Sequence, residues 1–205
     1  MRGRIIDFYS GLGGASEAFV QDGRYQVSRI DNNMELKDVE YTNIANILNL
    51  SVDNIEFLFG DADLMIFGIP CYEFSLAHNA PQGIASRECR LNTYKPNLDH
   101  LLKAKEIIDY CKPKYWIIEN VRGSVRHFEP IIGSLTQTIG PFFLYHNLPA
   151  LSIQNNELEM IIGHKSKNDK GPSNPLRSNY KAKWPIQLSK ALLKSFETPT
   201  LEDFL

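Results

Sequence analysis

The 205-residue chain reads as an α/β protein, an open sheet with helices on both faces, and three observations say so. Short apolar runs alternate with segments of helical composition, the pattern of strands joined by helical crossovers. Two of the runs, "LMIFGI" (64–69) and "YWIIEN" (115–120), are almost unbroken, as strands buried on both faces are. Finally, polar residues of chemical interest stand where the runs end.

The elements follow in order. "RIIDFYS" (4–10) is a short apolar strand that meets "GLGG", and "ASEAFVQD" has helical composition. "YQVSRI" (25–30) alternates as a strand does and ends at Asp31. "FLFG" (57–60) is a further apolar run ahead of the 64–69 strand. In "NLDHLLKAKEIIDYC" (97–111), Leu98, Leu101, Leu102, Ile107 and Ile108 recur at helical spacing, and Pro113 closes the helix. After 115–120, "EPIIGSLTQTIG" (129–140) reads as helix, and "PFFLYHNL" (141–148) and "ELEMIIG" (157–163) as strands. "PIQLSKALLKSF" (185–196) is a helix with Pro185 in its first turn. The polar stretch 164–179, rich in Gly, Pro, Ser and Asn, reads as loop. At roughly 150 residues per domain, the length predicts one domain over 1–205.

A hydrophobic fraction of 43% is enough for a packed core. The three cysteines, Cys71, Cys89 and Cys111, are odd in number and show no CxxC spacing, so neither a disulfide framework nor a metal site is expected and a reducing compartment fits. No apolar run approaches the ~18 residues of a membrane span, and Asp7 interrupts the apolar stretch that a leader peptide would need. The expectation is a cytoplasmic protein with no membrane and no metal. Net charge is −2, yet it is unevenly spread. Residues 163–195 hold eight Lys or Arg against Asp169, whereas residues 1–162 carry 14 bases and 20 acids. Such a stripe is either a footprint for phosphate or a solvated loop.

The glycine turn Gly11–Gly14, Asp31, Cys71 and Glu119 all fall at the C-terminal ends of expected strands, which in an open parallel sheet face one crevice. The glycines let backbone approach a ligand, and Asp31 lies 20 residues beyond Gly11, near the offset at which an acid holds a ribose. Ser16 stands where a dinucleotide fingerprint needs its third small residue, so an adenosyl ligand without a pyrophosphate fits better. Cys71 itself admits two readings, a small core residue or a nucleophile at a strand end. Glu119 likewise is either a strand-end cap or a working carboxyl.

Together these segments resemble the cytosine-C5 DNA methyltransferases, in order from about residue 4 to 123. "DFYSGLGGASEAF" is similar to the family's first motif, which contacts S-adenosyl-L-methionine, and "RIDNN" to the segment whose acid binds the ribose. "GIPCYEFS" resembles the Pro-Cys-x-x-Phe-Ser motif that carries the nucleophile, and "YWIIENVRG" the Glu-Asn-Val motif whose glutamate holds the target base. The resemblance implies a Rossmann-like S-adenosylmethionine-dependent methyltransferase sheet. It implies cofactor contacts from Phe8, Ser10, Gly11, Gly13, Gly14, Asp31 and Pro70, with Asn32 and Asn46 toward the adenine. It makes Cys71 and Glu119 catalytic, and places Pro70, Ser75, Asn120, Val121 and Arg122 around the substrate. The chemistry needs these types. Thiolate addition to C6 makes C5 of cytosine nucleophilic, and the charge that develops is relieved at N3 by a carboxyl, a role suited to one whose pKa burial has raised. In a duplex the base must be flipped out first.

The chain departs from the family pattern in three places. A Gln-x-Arg-x-Arg motif leading into a strand aligns on Gln154 and 161–163, which puts Asn156 and Leu158 at the arginine positions, with Arg122 or Arg177 as candidate substitutes. The Gly-Asn before the last helix is replaced by Lys181–Ala182. Only 164–184 occupies the place of a target-recognition domain, too short to read bases, and sequence-nonspecific phosphate contacts are expected from 164–194, Lys165, Lys167 and Arg177 among them. The expected activity is therefore DNA cytosine-C5 methylation with low sequence specificity, or with specificity supplied by a partner protein, in a bacterial or phage-infected cell. A free cytosine nucleotide as substrate, and a non-catalytic scaffold that keeps the fold, are the alternative readings.

Overall fold

Seven strands form one sheet in the order β3-β2-β1-β4-β5-β7-β6. The computed structural model describes residues 3–167 and 173–199, with the side chains of 52 and of 163–167 left out. In chain order the elements are β1 (Arg4–Phe8), α1 (Glu17–Asp22), β2 (Gln26–Asp31), β3 (Thr42–Ile44), α2 (Val52–Phe59), β4 (Leu64–Gly68), α3 (Pro81–Arg87), α4 (Asp99–Cys111), β5 (Tyr115–Asn120), α5 (Val125–Ile132), β6 (Gln137–Ile139), β7 (Phe142–His146), α6 (Asn155–Lys167), α7 (Arg177–Ala182) and α8 (Ile186–Glu197). β1 to β5 are parallel. β7 runs antiparallel to both β5 and β6. The strand order reverses between β1 and β4, which makes their C-terminal ends the natural crevice for a ligand. Among the described residues no helix is long and apolar enough to cross a membrane.

Alternation along the strands feeds two cores. On one face Ile5, Leu64, Ile66, Ile117 and Leu144 pack with Phe19 of α1 and Leu188 and Leu192 of α8. On the other, Ile6, Phe8, Met65, Phe67, Ile118 and Tyr145 pack with Ile55 of α2, Leu101, Ala104 and Ile107 of α4, and Phe128 of α5. Each buried aliphatic or aromatic side chain contributes roughly 1.5–3 kcal/mol. Both faces are therefore filled, as the unbroken apolar runs of β4 and β5 require, and the expected α/β sheet is present.

Four sequence expectations are corrected. "FLFG" closes α2 rather than forming a strand, because Ile55 and Phe59, four apart, bury one helical face and the Ser51 hydroxyl caps the helix by accepting from the Asn54 N–H. The helix expected over 129–140 ends at Ile132, where Gly133 takes φ 90°, and a Gly140–Pro141 turn then folds β6 onto β7. The strand expected over 157–163 lies inside α6. Leu158 and Ile161, three apart, meet the core while Met160 and Ile162 stay exposed, and the Glu157 carboxylate caps the helix start by accepting from the Gln154 N–H. The 164–179 loop is partly helical, since α6 continues to Lys167 and α7 begins at Arg177.

Candidate active site

The glycine turn is built on a buried ionic scaffold. Asp7, on β1, is 1% exposed and accepts from the Ser16 hydroxyl at 2.7 Å. Ser16 Oγ in turn accepts from Arg29 Nε at 2.9 Å, and the Arg29 guanidinium also donates to the Gly13 carbonyl and to Glu17. Burial raises the Asp7 carboxyl to about 6, against the lowering effect of Ser16 and Arg29. Gly13 sits at φ 69°, and a side chain there would come within 2.2 Å of the Arg29 guanidinium carbon. At Gly14 a Cβ would lie 2.5 Å from the Trp184 amide. The turn is thus pressed between Arg29 and the segment leading into α8, and only glycine fits both places.

Asp31, at the end of β2, closes the turn by accepting from the Gly11 N–H at 2.9 Å and the Asn33 N–H at 3.0 Å. Each carboxylate oxygen takes one N–H and so keeps a free lone-pair direction for a hydroxyl. Ser10 Oγ is buried with no hydrogen-bond partner among the described residues. A backbone cradle, an orphaned hydroxyl and an acid with spare acceptors are the features an adenosyl ligand would use. Asn32 is exposed beside Asp31. Asn46 follows β3 and is exposed, and its side-chain oxygen caps the next turn by accepting from the Leu48 N–H. Phe8 does not join this site. Its ring is wholly buried, stacked on Phe67 at 4.7 Å and 2°, because as the last residue of β1 it alternates into the second core.

The next residue in the chain is Tyr9. It stands just past β1 at φ 56° and turns to α4, where its hydroxyl meets His100 Nδ1 at 3.2 Å. Burial pushes its phenol up. Its ring packs against the same core that Phe8 enters.

Cys71 and Glu119 leave adjacent strand ends. Gly68 is the register partner of Glu119, on strands about 4.8 Å apart, and Cys71 follows Gly68 by three residues. Both side chains are half-buried. The loop is set by Asn120, which is fully buried and donates through Nδ2 to the Ile69 carbonyl at 3.0 Å while its Oδ1 accepts from the Val121 N–H. Asn120 therefore does not face a substrate; it clamps the Cys71 loop to the strand that carries Glu119. Beyond it, the Cys71 carbonyl accepts from the N–H groups of Phe74 and Ser75, and Phe74 packs edge-on against Phe128. Pro70 is exposed, Ser75 is half-buried with its hydroxyl turned to the Ala77 N–H, Val121 packs against the second core, and Arg122 is exposed.

Two anchors of this loop escaped sequence reasoning. Gln82, 2% exposed, donates to the Gly123 carbonyl and meets His127. The Tyr94 hydroxyl donates to the carboxylate of Glu73, two residues past the thiol, at 2.7 Å and lies 3.0 Å from its carbonyl. Cys111 is half-buried against the core, with its thiol pushed up by burial, and Cys89 is exposed. His78 is exposed, its carbonyl accepting from Arg87.

The described basic residues of 163–195 do not form one surface. The side chains of Lys165 and Lys167 lie outside the described residues. Arg177 is half-buried on α7, and Lys183 lies with its stem over Gly14. α8 begins at the glycine turn, where Ser189 bonds Ala15 and Ala18, and ends near Tyr25 and Tyr115, at the starts of β2 and β5. Lys190 and Lys194 are exposed along it, so Lys194 stands toward the sheet edge opposite the site.

A family model for C-5 cytosine-specific DNA methylases matches residues 3–147. Among solved structures, one titled as a putative DNA modification methyltransferase encoded within an E. coli prophage is similar over 62% of this chain and 34% of its own, at 19% identity and a TM-score of 0.42. The chain spans about a third of that protein's length. No curated protein matches it. The family match takes in every strand of the sheet and both halves of the crevice, and by it the chain belongs to the C-5 cytosine-specific DNA methylase family.

Proposed function

We propose that the chain methylates cytosine C5 in DNA, with S-adenosyl-L-methionine as methyl donor and Cys71 as nucleophile. The observation that carries this reading is the Gly68–Glu119 register closed by the Asn120–Ile69 bond, which ties a thiol and a carboxyl to neighbouring strand ends. The Cys71 thiolate adds to C6, and the ring electrons move toward C5 while N3 takes a proton from Glu119. The cofactor supplies an electrophilic methyl group for C5. The C5 proton then passes to solvent water as the Cys71–C6 bond breaks and the thiolate leaves, and N3 returns its proton to Glu119, which restores the aromatic ring. Gly11, Gly13, Gly14, Ser10 and Asp31 hold the cofactor, with Asn32 and Asn46 at its adenosine end. Specificity is low or comes from a partner protein, because 168–176 is all that separates α6 from α7 and no base-reading domain fits there.

The test is transfer of a labelled methyl group to cytosine-containing DNA, single- and double-stranded. Label on cytosine in the wild type, and none in Cys71→Ser with cofactor binding intact, supports the reading. Cofactor binding without transfer to any DNA overturns it. Faster transfer to dCMP than to DNA would make the free nucleotide the substrate instead.

A further inference from the structure

A cleft of about 440 Å³ opens between the Cys71 loop and α5, past the Glu119–Val121 turn and away from the glycine cradle. This volume is in the range of small-ligand clefts, about 300–1,000 Å³. Its apolar walls are Leu76, Leu91, Leu135 and Phe143, and Arg122 and Arg126 line it four residues apart. Phe143 is the register partner of Asn120, one residue from Glu119, and is half-buried. Leu76 is 56% exposed, although it sits in a loop otherwise well pinned.

The charge here runs against the rest of the body. Residues 1–162 carry an excess of six acids, yet the cleft has two arginines against one carboxylate, Glu129. Glu129 is already engaged, accepting from the Leu135 N–H. Arg126 is steadied at the rim by bonds to the Leu91 carbonyl and to His127, which use two of its five N–H donors. Arg122 is exposed, and its guanidinium hydrogen-bonds no described residue. An aromatic and aliphatic floor with cations on one rim is the composition that holds a nucleic-acid strand, base on the floor and phosphate on the cations. The basic helix α8 offers no such floor and leads to the far edge of the sheet.

We propose that this cleft is the docking surface for the DNA strand, taking the nucleotide next to the target on Phe143 and Leu76 with its phosphate on Arg122 and Arg126. The assignment rests on the reading of the chain as a DNA methylase.

The experiment is fluorescence anisotropy of a labelled cytosine-containing 12-mer, single-stranded and as duplex, across a salt series, with S-adenosylhomocysteine affinity measured on every protein. Arg122→Gln/Arg126→Gln lowers the slope of log K against log salt by about 1.4 on the single strand, two contacts at about 0.7 each. Phe143→Ala weakens single-strand binding by about 5- to 150-fold, the range for one lost base stack. Lys190→Gln/Lys194→Gln leaves affinity and slope unchanged. Each variant binds S-adenosylhomocysteine as the wild type does. If the double variant loses that binding, Arg122→Gln alone decides, with a slope change of about 0.7 expected. Wild-type slope and affinity in the arginine variants overturn the proposal, as does loss of binding in the α8 variant instead. A wild type that binds S-adenosylhomocysteine but neither form of DNA overturns the DNA reading itself.

Discussion

Two loops leave the same edge of the sheet and are held in opposite ways. The turn after β1 rests on a buried Asp7–Ser16–Arg29 network and on contacts too close for any side chain but hydrogen. The loop after β4 is held by a few hydrogen bonds, from Asn120 to Ile69 and from Tyr94 to Glu73, and by Gln82 of α3, which ties its far end to Gly123. Damage to the first should therefore appear as lost stability and lost cofactor binding. Damage to the second should appear in the chemical step, because its anchors position a thiol without supporting the core.

The sharpest break is Gly13→Ala. It combines a left-handed φ with a 2.2 Å collision against Arg29, and should cost about 3–5 kcal/mol, read as a lower urea midpoint together with loss of S-adenosylhomocysteine binding. Next is the pH dependence of Asp7. Its carboxyl is raised in the fold from 3.8 to about 6, so the neutral form is favoured. That contribution is complete below pH 3.8 and disappears as pH rises through about 6, on the order of 3 kcal/mol in all. The stability of the wild type relative to Asp7→Asn, which keeps an acceptor for Ser16, should fall between pH 4 and 7; a flat difference would contradict the assignment.

On the other loop, Asn120→Ala leaves the buried Ile69 carbonyl without its donor and should cost about 1–3 kcal/mol. More tellingly, kcat should fall at least tenfold while cofactor affinity holds. Equal losses in both would erase the distinction between the loops. The smallest effect belongs to Tyr94→Phe. The pair is partly exposed, so stability should change by less than about 1 kcal/mol, with a modest fall in kcat.

Sequence legibility divides along similar lines. The strands β1, β2, β4, β5 and β7 were readable because burial on both faces or strict alternation writes a local pattern. The strand-end positions of Asp31, Cys71 and Glu119 followed from that. Where helix and strand both suit a short apolar run, tertiary packing decided, which is why "ELEMIIG" became α6 through Leu158 and Ile161. Phe8 was misplaced because its ring alternates into the second core, which its place next to the glycine turn does not reveal. Asn120 looked like a substrate contact because nothing local says that its partner is a carbonyl 51 positions away. The Arg122–Arg126 cleft was invisible for the same reason, since Leu76 and Phe143 meet only in the fold.

The central claim is that the Cys71 sulfur attacks the pyrimidine ring. Its direct test is the mass of the protein after incubation with S-adenosyl-L-methionine and DNA carrying 5-fluorocytosine, whose C5 fluorine cannot leave as a proton does. A stable protein–DNA adduct through Cys71, absent in Cys71→Ser, is the expected result; a wild type that binds both cofactor and DNA yet forms no adduct would contradict the account.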